Sequence, residues 1–323
     1  MSAVPANFSF HVGNLPPETF LADVLAGLYR EPKALPPKYF YDARGCELFE
    51  AICQLPEYYL TRTEIALMHT RAGEMARMLG KRGVLIEFGS GSSRKTRILL
   101  DALAPRVYVP VDIARDELKA VAGRLSVERP GLRVAAVCAD FTQPVPLPPI
   151  RAFENLRRVL YFPGSTIGNL TPAEARAFLS RSSDLAGPGG AMLVGVDLKK
   201  DKARLEAAYD DAAGVTAAFN LNLLRRINHE LGGDFDLARF RHLAFYNERG
   251  GRIEMHIAST VSQSVNVAGR TYAFRASETI HTENSHKYGI EEFQRLARDA
   301  GWEPAHCWTD PERLFAVHGL AVR

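Results

Sequence analysis

Short apolar runs, each closed by a small or acidic residue and followed by residues at helical spacing, fill the middle of the chain. Runs over 84–88, 107–111, 134–138, 158–162 and 191–196 read as strands. They end at Gly89, at Asp112, near Asp140-Phe141, at Pro163 and at Asp197. Between them, 93–103 and 116–129 carry helical patterns. A further helix opens at Thr171-Pro172-Ala173-Glu174, with a cap, a proline at the first helical position and a carboxylate three residues after the cap, and Gly187-Pro188-Gly189-Gly190 closes it. Strand and helix in strict alternation predict a parallel sheet with helices on both faces, whose ligands bind where the strands end.

The flanks have another character. Residues 18–29 suggest a short amphipathic helix, after which Pro32, Pro36 and Pro37 interrupt the chain before Tyr39-Phe40-Tyr41. Thr61 and Glu64 fit a capping box at the head of a helix running to Leu79. Beyond Asp197, residues 202–217 and 218–231 read as two helices, the first carrying Tyr209. The stretches 252–259, 261–267 and 270–274 read as short antiparallel strands. Residues 291–300 return to helix and 314–320 to a last strand. The expected division is 1–60 with 199–286 as a smaller α+β part, and 61–198 with 287–323 as the nucleotide-binding core.

Composition narrows the function without deciding it. The 323 residues are 46% hydrophobic and 24% charged, enough for a core and ordinary for a soluble protein. A net charge of +3, with no long Lys/Arg block, argues against a nucleic-acid surface. Cys46, Cys53, Cys138 and Cys307 show neither metal nor dense disulfide spacing, and the nine histidines form no HExxH motif. No metal is therefore expected. A reducing, cytoplasmic location is the simplest expectation, since no signal or membrane span is evident.

The chemistry concentrates after the first core strand. Glu87-Phe88-Gly89-Ser90-Gly91 brings a carboxylate and a small-residue turn to a strand end, where backbone approaches a nucleoside closely. Asp112, 21 residues after Gly91, is placed to accept two ribose hydroxyls, which suits NAD and an adenosyl cofactor equally. Two features favour S-adenosylmethionine: the third glycine of the pyrophosphate fingerprint is missing, and Asp140-Phe141 offers an acceptor for an adenine amine beside an aromatic face. Lys95 could reach a ligand carboxylate or simply face solvent.

The sequence also resembles the histidine-specific Nα-methyltransferases of ergothioneine biosynthesis, from about Leu35 to the last strand. The signatures are Leu35-Pro36-Pro37-Lys38-Tyr39-Phe40-Tyr41-Asp42, Leu55-Pro56-Glu57-Tyr58-Tyr59, the glycine turn, Gly164-Ser165-Thr166-Ile167-Gly168-Asn169-Leu170-Thr171-Pro172, Ala208-Tyr209-Asp210-Asp211 and Ile280-His281-Thr282-Glu283-Asn284-Ser285. The resemblance implies a class I methyltransferase Rossmann-like domain with a separate substrate domain. The cofactor residues would be Tyr41, Gly89, Lys95, Asp112, Asp140 and Phe141, to which the reading of the strand end adds Glu87, and the substrate residues Tyr58, Asn169, Tyr209, Met255, Glu283 and Ser285. Asn169 and Tyr209 match holders of the α-carboxylate, and Glu283 and Ser285 match holders of the imidazole. Tyr41 and Tyr58 carry the catalytic expectation.

Chemistry supports those matches. An α-amine must be neutral and aligned with the methyl it receives, and neutral donors fix a carboxylate without burying a second charge. A carboxylate and a hydroxyl together satisfy both ring nitrogens of an imidazole. No dedicated base is evident; the proton passes to water or through Tyr41. The expected activity is transfer of three methyl groups from S-adenosylmethionine to histidine, giving hercynine and S-adenosylhomocysteine, by a protein that needs no membrane or nucleic-acid partner and is compatible with a monomer. The alternatives are methylation of another amino acid or imidazole compound, an NAD-dependent oxidoreductase, and a non-catalytic binding module.

Overall fold

A computed structural model describes residues 5–13, 19–91, 94–148 and 156–323, and its contacts divide the chain into two units. The larger comprises Met1–Leu15, Leu60–Lys199 and Lys287–Arg323; the smaller comprises Pro16–Tyr59 and Lys200–His286.

The larger unit is built on an eight-stranded sheet. In chain order its strands are β1 (Phe8–Val12), β3 (Val84–Phe88), β4 (Val107–Asp112), β5 (Arg133–Cys138), β6 (Arg158–Phe162), β7 (Ala191–Asp197), β13 (Trp302–Thr309) and β14 (Phe315–Val322). They lie in the order β1-β5-β4-β3-β6-β7-β14-β13. All neighbours are parallel except β14, which runs antiparallel to both β7 and β13. The expected parallel sheet is thus finished by an antiparallel edge, because a two-strand hairpin needs no crossover helix.

Alternation along the strands sorts the two faces. Val84, Ile86 and Phe88 join Phe178 and Leu179 of α6 (Pro172–Ala186) and Phe293 and Ala297 of α9 (Ile290–Asp299) in one apolar cluster. Glu87, Tyr108 and Tyr161 point the other way, toward α3 (Tyr59–Leu79) and α4 (Arg94–Leu103): Tyr161 donates to Met68 Sδ, and Thr96 to Glu87. The remaining helix, α5 (Arg115–Glu128), packs on β5 and β4. Residues 8–12 were grouped by their sequence with the smaller part. Phe8, Phe10 and Val12 do alternate with Ser9 and His11, and parallel pairing with β5 places them in the larger sheet.

The smaller unit holds α1 (Thr19–Tyr29), β2 (Lys33–Ala34), α2 (Ala43–Ile52), α7 (Lys202–Ala207), α8 (Val215–Leu231) and strands β8 (Phe240–Asn247), β9 (Arg252–Ser259), β10 (Gln263–Val267), β11 (Arg270–Phe274) and β12 (Thr279–His286). Its sheet runs β2-β12-β9-β8, with β10-β11 a separate hairpin. The two helices expected over 202–231 divide earlier than their sequence suggests. The Asp211 carboxylate accepts from Val215 N (2.9 Å) and Thr216 N (2.8 Å), and Gly214 takes φ +71°. This restarts the helix at Val215 and leaves Tyr209 in the intervening turn rather than on a helix.

Candidate functional site

In the larger unit the strand ends assemble the expected cofactor residues. Gly89 (φ +69°) and Gly91 (φ +41°) adopt backbone conformations that side chains resist, so the turn after β3 requires them. Ser92 and Ser93 lie outside the described residues. Gly91 N donates to Asp112 Oδ2 across 3.2 Å, and Asp112 Oδ1 accepts from Ala114 N at 3.0 Å. Burial raises the Asp112 carboxyl above its usual range, and the backbone donors oppose that shift. After β5, Asp140 Oδ1 is held by Thr142 N (2.9 Å) and Thr142 Oγ1 (2.5 Å). The Phe141 ring joins Phe88, Phe162 and Phe178, with centroids 5.4 Å from Phe162. After β6, Asn169 ends a short 3-10 turn, Thr166–Asn169, entered through the left-handed Ser165.

Two residues depart from expectation. Glu87 is only 1% exposed, and its carboxyl accepts from Thr96 Oγ1 at 2.7 Å and from the Tyr108 hydroxyl. Burial pushes its pKa up to about 8 against those bonds, so it is a largely neutral acid beneath the turn, not an anion facing a cationic ligand. Lys95 is only partly exposed, and its Nζ lies 2.6 Å from Glu64 Oε2. Glu64 is not the partner in a capping box. The helix begins at Tyr59, so Thr61 is already inside it, and the Glu64 carboxylate turns to Lys95 and to Gly164 N (2.9 Å). The box at Thr171 and Glu174 does form.

In the smaller unit β9 and β12 pair antiparallel, with Glu283 opposite Met255 and Ser285 opposite Ile253. The Tyr209 hydroxyl and Ser285 Oγ share a hydrogen bond of 2.7 Å. Tyr58 packs edge-on to Tyr209 with centroids 6.1 Å apart, and Tyr41 packs edge-on to Phe49 at 5.8 Å. Met255, Glu283, Ser285, Tyr58 and Tyr209 are all buried, while Tyr41 is half-buried. Burial, then the neighbouring Tyr209, drives the Tyr58 hydroxyl pKa well above its ordinary value. The unit therefore brings together a carboxyl group and three hydroxyls on a buried apolar floor.

On the opposite strand face, Glu254, His256 and His281 place one potential metal-ligand atom each within 4.8 Å of one another. Their donors are engaged otherwise. Glu254 Oε1 accepts from Arg252 and Asn247, Oε2 lies 3.2 Å from His256 Nε2, and His256 Nδ1 is buried with no partner. A ligating histidine anchors its second nitrogen, so this donor set fits a metal poorly.

A sheet parallel but for its β14-β13 edge, a glycine turn after its first core strand, and a carboxylate ending the next strand fit an S-adenosylmethionine-dependent methyltransferase of the class I, Rossmann-like kind. The chain belongs to the histidine-specific, SAM-dependent methyltransferase family, whose model matches residues 20–322. It is 45% identical over 312 residues to the histidine N-alpha-methyltransferase of Mycolicibacterium smegmatis, covering 95% of each chain. It is 43% identical over 301 residues to the histidine N-alpha-methyltransferase of Mycobacterium tuberculosis, covering 91% of this chain and 92% of that one. It is also 28% identical over 319 residues to the 4-dimethylallyltryptophan N-methyltransferase of Aspergillus fumigatus, covering 93% of each. Among the described residues, no helix is long and apolar enough to cross a membrane.

Proposed function

We propose that the chain methylates the α-amine of L-histidine three times, giving hercynine for ergothioneine biosynthesis. The observation that carries this reading is the β12 pair, Glu283 and Ser285, two residues apart on one buried strand face, with Tyr209 bonded to Ser285. A carboxylate and a hydroxyl so spaced match the two nitrogens of one imidazole, and leaving either nitrogen unmatched would penalise the complex. Met255 opposite Glu283 supplies the apolar wall.

The glycine turn and Asp112 suit an adenosyl group: Gly89 and Gly91 leave the backbone open to approach, and the carboxylate already organises the backbone around it. Asp140 and Phe141 are assigned to its adenine, Lys95 to its carboxylate, and Tyr41 to the cofactor as well. When bound, S-adenosylmethionine supplies an electrophilic methyl on its sulfonium sulfur. Asn169 and Tyr209 are assigned to the α-carboxylate of the acceptor, and Tyr58 to its amine. Tyr58 is held neutral, so it orients the amine as a hydrogen-bonding partner rather than removing its proton as a phenolate. The proton passes to solvent, with Tyr41 as relay. None of the four cysteines forms a disulfide, which suits the proposed cytoplasmic location.

The deciding experiment incubates purified protein with S-adenosylmethionine and each of the twenty amino acids, followed by mass spectrometry. Gains of one, two and three methyl groups on histidine alone are expected. Methylation of tryptophan instead, the amino-acid type named in the Aspergillus relative, would overturn the imidazole assignment and keep the chemistry. Glu283→Ala should raise the Kd for histidine by about tenfold or more, the scale of one charge-assisted hydrogen bond, and leave the Kd for S-adenosylhomocysteine unchanged. Unchanged histidine affinity would remove Glu283 from the site.

A further inference from the structure

Glu64 carries a carboxyl group with none of its side chain exposed, and its surroundings are shaped to hold it. Oε2 lies 2.6 Å from Lys95 Nζ, while Oε2 and Oε1 lie 2.9 and 3.2 Å from Gly164 N. The slot is made by two glycines. A side chain at Gly195 on β7 would put its Cβ 2.5 Å from Glu64 Oε1, and one at Gly164 would put it 3.2 Å from the Lys95 ammonium. Gly164 also sits at φ +76°. A fully buried carboxylate is costly unless paired and hydrogen-bonded, and here an ammonium and a backbone N–H do both.

The two groups it holds belong to different halves of the proposed chemistry. Lys95 stands at the head of α4, immediately beyond the glycine turn, on the methyl-donor side. Gly164 opens the segment that leads through Ser165 to Asn169, the proposed holder of the acceptor's carboxylate. We propose that Glu64 is a positioning residue for the transfer, its one carboxylate setting both the Lys95 ammonium and the Gly164–Asn169 segment. The proposal rests on the assignment of Lys95 to the cofactor and Asn169 to the amino acid. An amide is a poor replacement for the acid: with its oxygen in the place of Oε2 it keeps both acceptor bonds, but it loses the charge that holds the Lys95 ammonium and sets an N–H group at the Oε1 position, 3.2 Å from the Gly164 N–H.

The test is calorimetry of the full chain with S-adenosylhomocysteine and, separately, with histidine, with the melting temperature of each variant recorded. Glu64→Gln should weaken both ligands by about tenfold, the scale of one charge-assisted hydrogen bond. In steady-state assays its loss should appear in the KM of both substrates more than in kcat. Lys95→Gln keeps a donor toward Glu64 but removes the charge, and should weaken S-adenosylhomocysteine alone. The double variant should bind S-adenosylhomocysteine no more weakly than the worse single one, since the two residues act as a unit. Glu64→Gln that binds either ligand as the parent does, or additive losses in the double variant, overturns the proposal. Unchanged S-adenosylhomocysteine affinity in Lys95→Gln defeats the Lys95 assignment instead, and the histidine arm of Glu64→Gln still decides Glu64. If Glu64→Gln does not fold, Glu64→Asp, which keeps the charge but draws the oxygens back toward α3, is read by the same criteria.

Discussion

Two buried carboxyl groups lie on the same side of the large sheet and meet different partners. Glu64 meets an ammonium; Glu87 meets two hydroxyls. In the unfolded chain the Glu87 carboxyl titrates near its ordinary 4.5, whereas burial carries it up to about 8 in the fold. Between those values the folded chain keeps a proton that the unfolded chain has released, so this group's contribution to stability falls as pH rises. Glu87→Gln imitates the neutral acid and removes the titration. Its melting temperature relative to the parent should therefore climb between pH 5 and pH 8. His318, whose burial lowers its ring to about 4, contributes the opposite slope in both chains and cancels in the comparison. A difference that does not change with pH would show that Glu87 is ionised in the fold. Steric fit gives a second prediction at this scale. Gly195→Ala forces its methyl against Glu64 Oε1 and the Phe315 ring, and overpacking of this kind costs about 1–3 kcal/mol, measurable by urea unfolding.

At the scale of elements, what could be read from the sequence was what is local. The five central strands and the Thr171–Glu174 capping box rest on apolar runs and cap chemistry contained within a few residues, and they stand where expected. β1, β8 and β13 were not foreseen. β1 alternates apolar and polar residues but is only five residues long, whereas the buried positions of β8 are irregular and β13 alternates poorly, so these last two owe their extended form to a neighbour's ladder rather than to their own pattern. The site divides in the same way. Gly89, Gly91 and Asp112 could be read because strand-end chemistry is local, whereas Glu64 looked like part of a capping box and its partner Lys95 lies 31 residues away. Asp211 shows how one side chain decides an element boundary. Removing its two bonds to the head of α8, as in Asp211→Ala, should cost about 1 kcal/mol. It should also loosen the turn holding Tyr209, raising the KM for histidine while the KM for S-adenosylmethionine stays put. Equal effects on both substrates would show that the turn has no separate role in holding the amino acid.

For the whole molecule, the question is how a sheet tolerates an 87-residue segment, Lys200–His286, between its last parallel strand, β7, and the helix and antiparallel pair that complete it. The chain leaves the larger unit after β7 and returns before α9, and the two passages are tied side by side within that unit. Tyr288 N donates to Asp197 O at 3.1 Å, Lys199 N donates to Tyr288 O at 3.1 Å, and Leu198 forms a parallel bridge with Tyr288. Beside them Lys287 Nζ meets Asp197 Oδ2 at 2.8 Å, with neither side chain exposed. Ends fixed this closely make the insertion a closed loop, whose closure cost grows only slowly with its length. The dependence falls instead on the clasp. Lys287→Met leaves the Asp197 carboxylate buried without its cation, and removing one partner of such a pair costs about 3–5 kcal/mol. Replacing both, as Asp197→Leu with Lys287→Met, removes the stranded charge and should recover part of the loss in urea titrations, giving a favourable coupling between the two substitutions. If the double variant is no more stable than Lys287→Met, the bridge between Leu198 and Tyr288 holds the passages together without help from the charges.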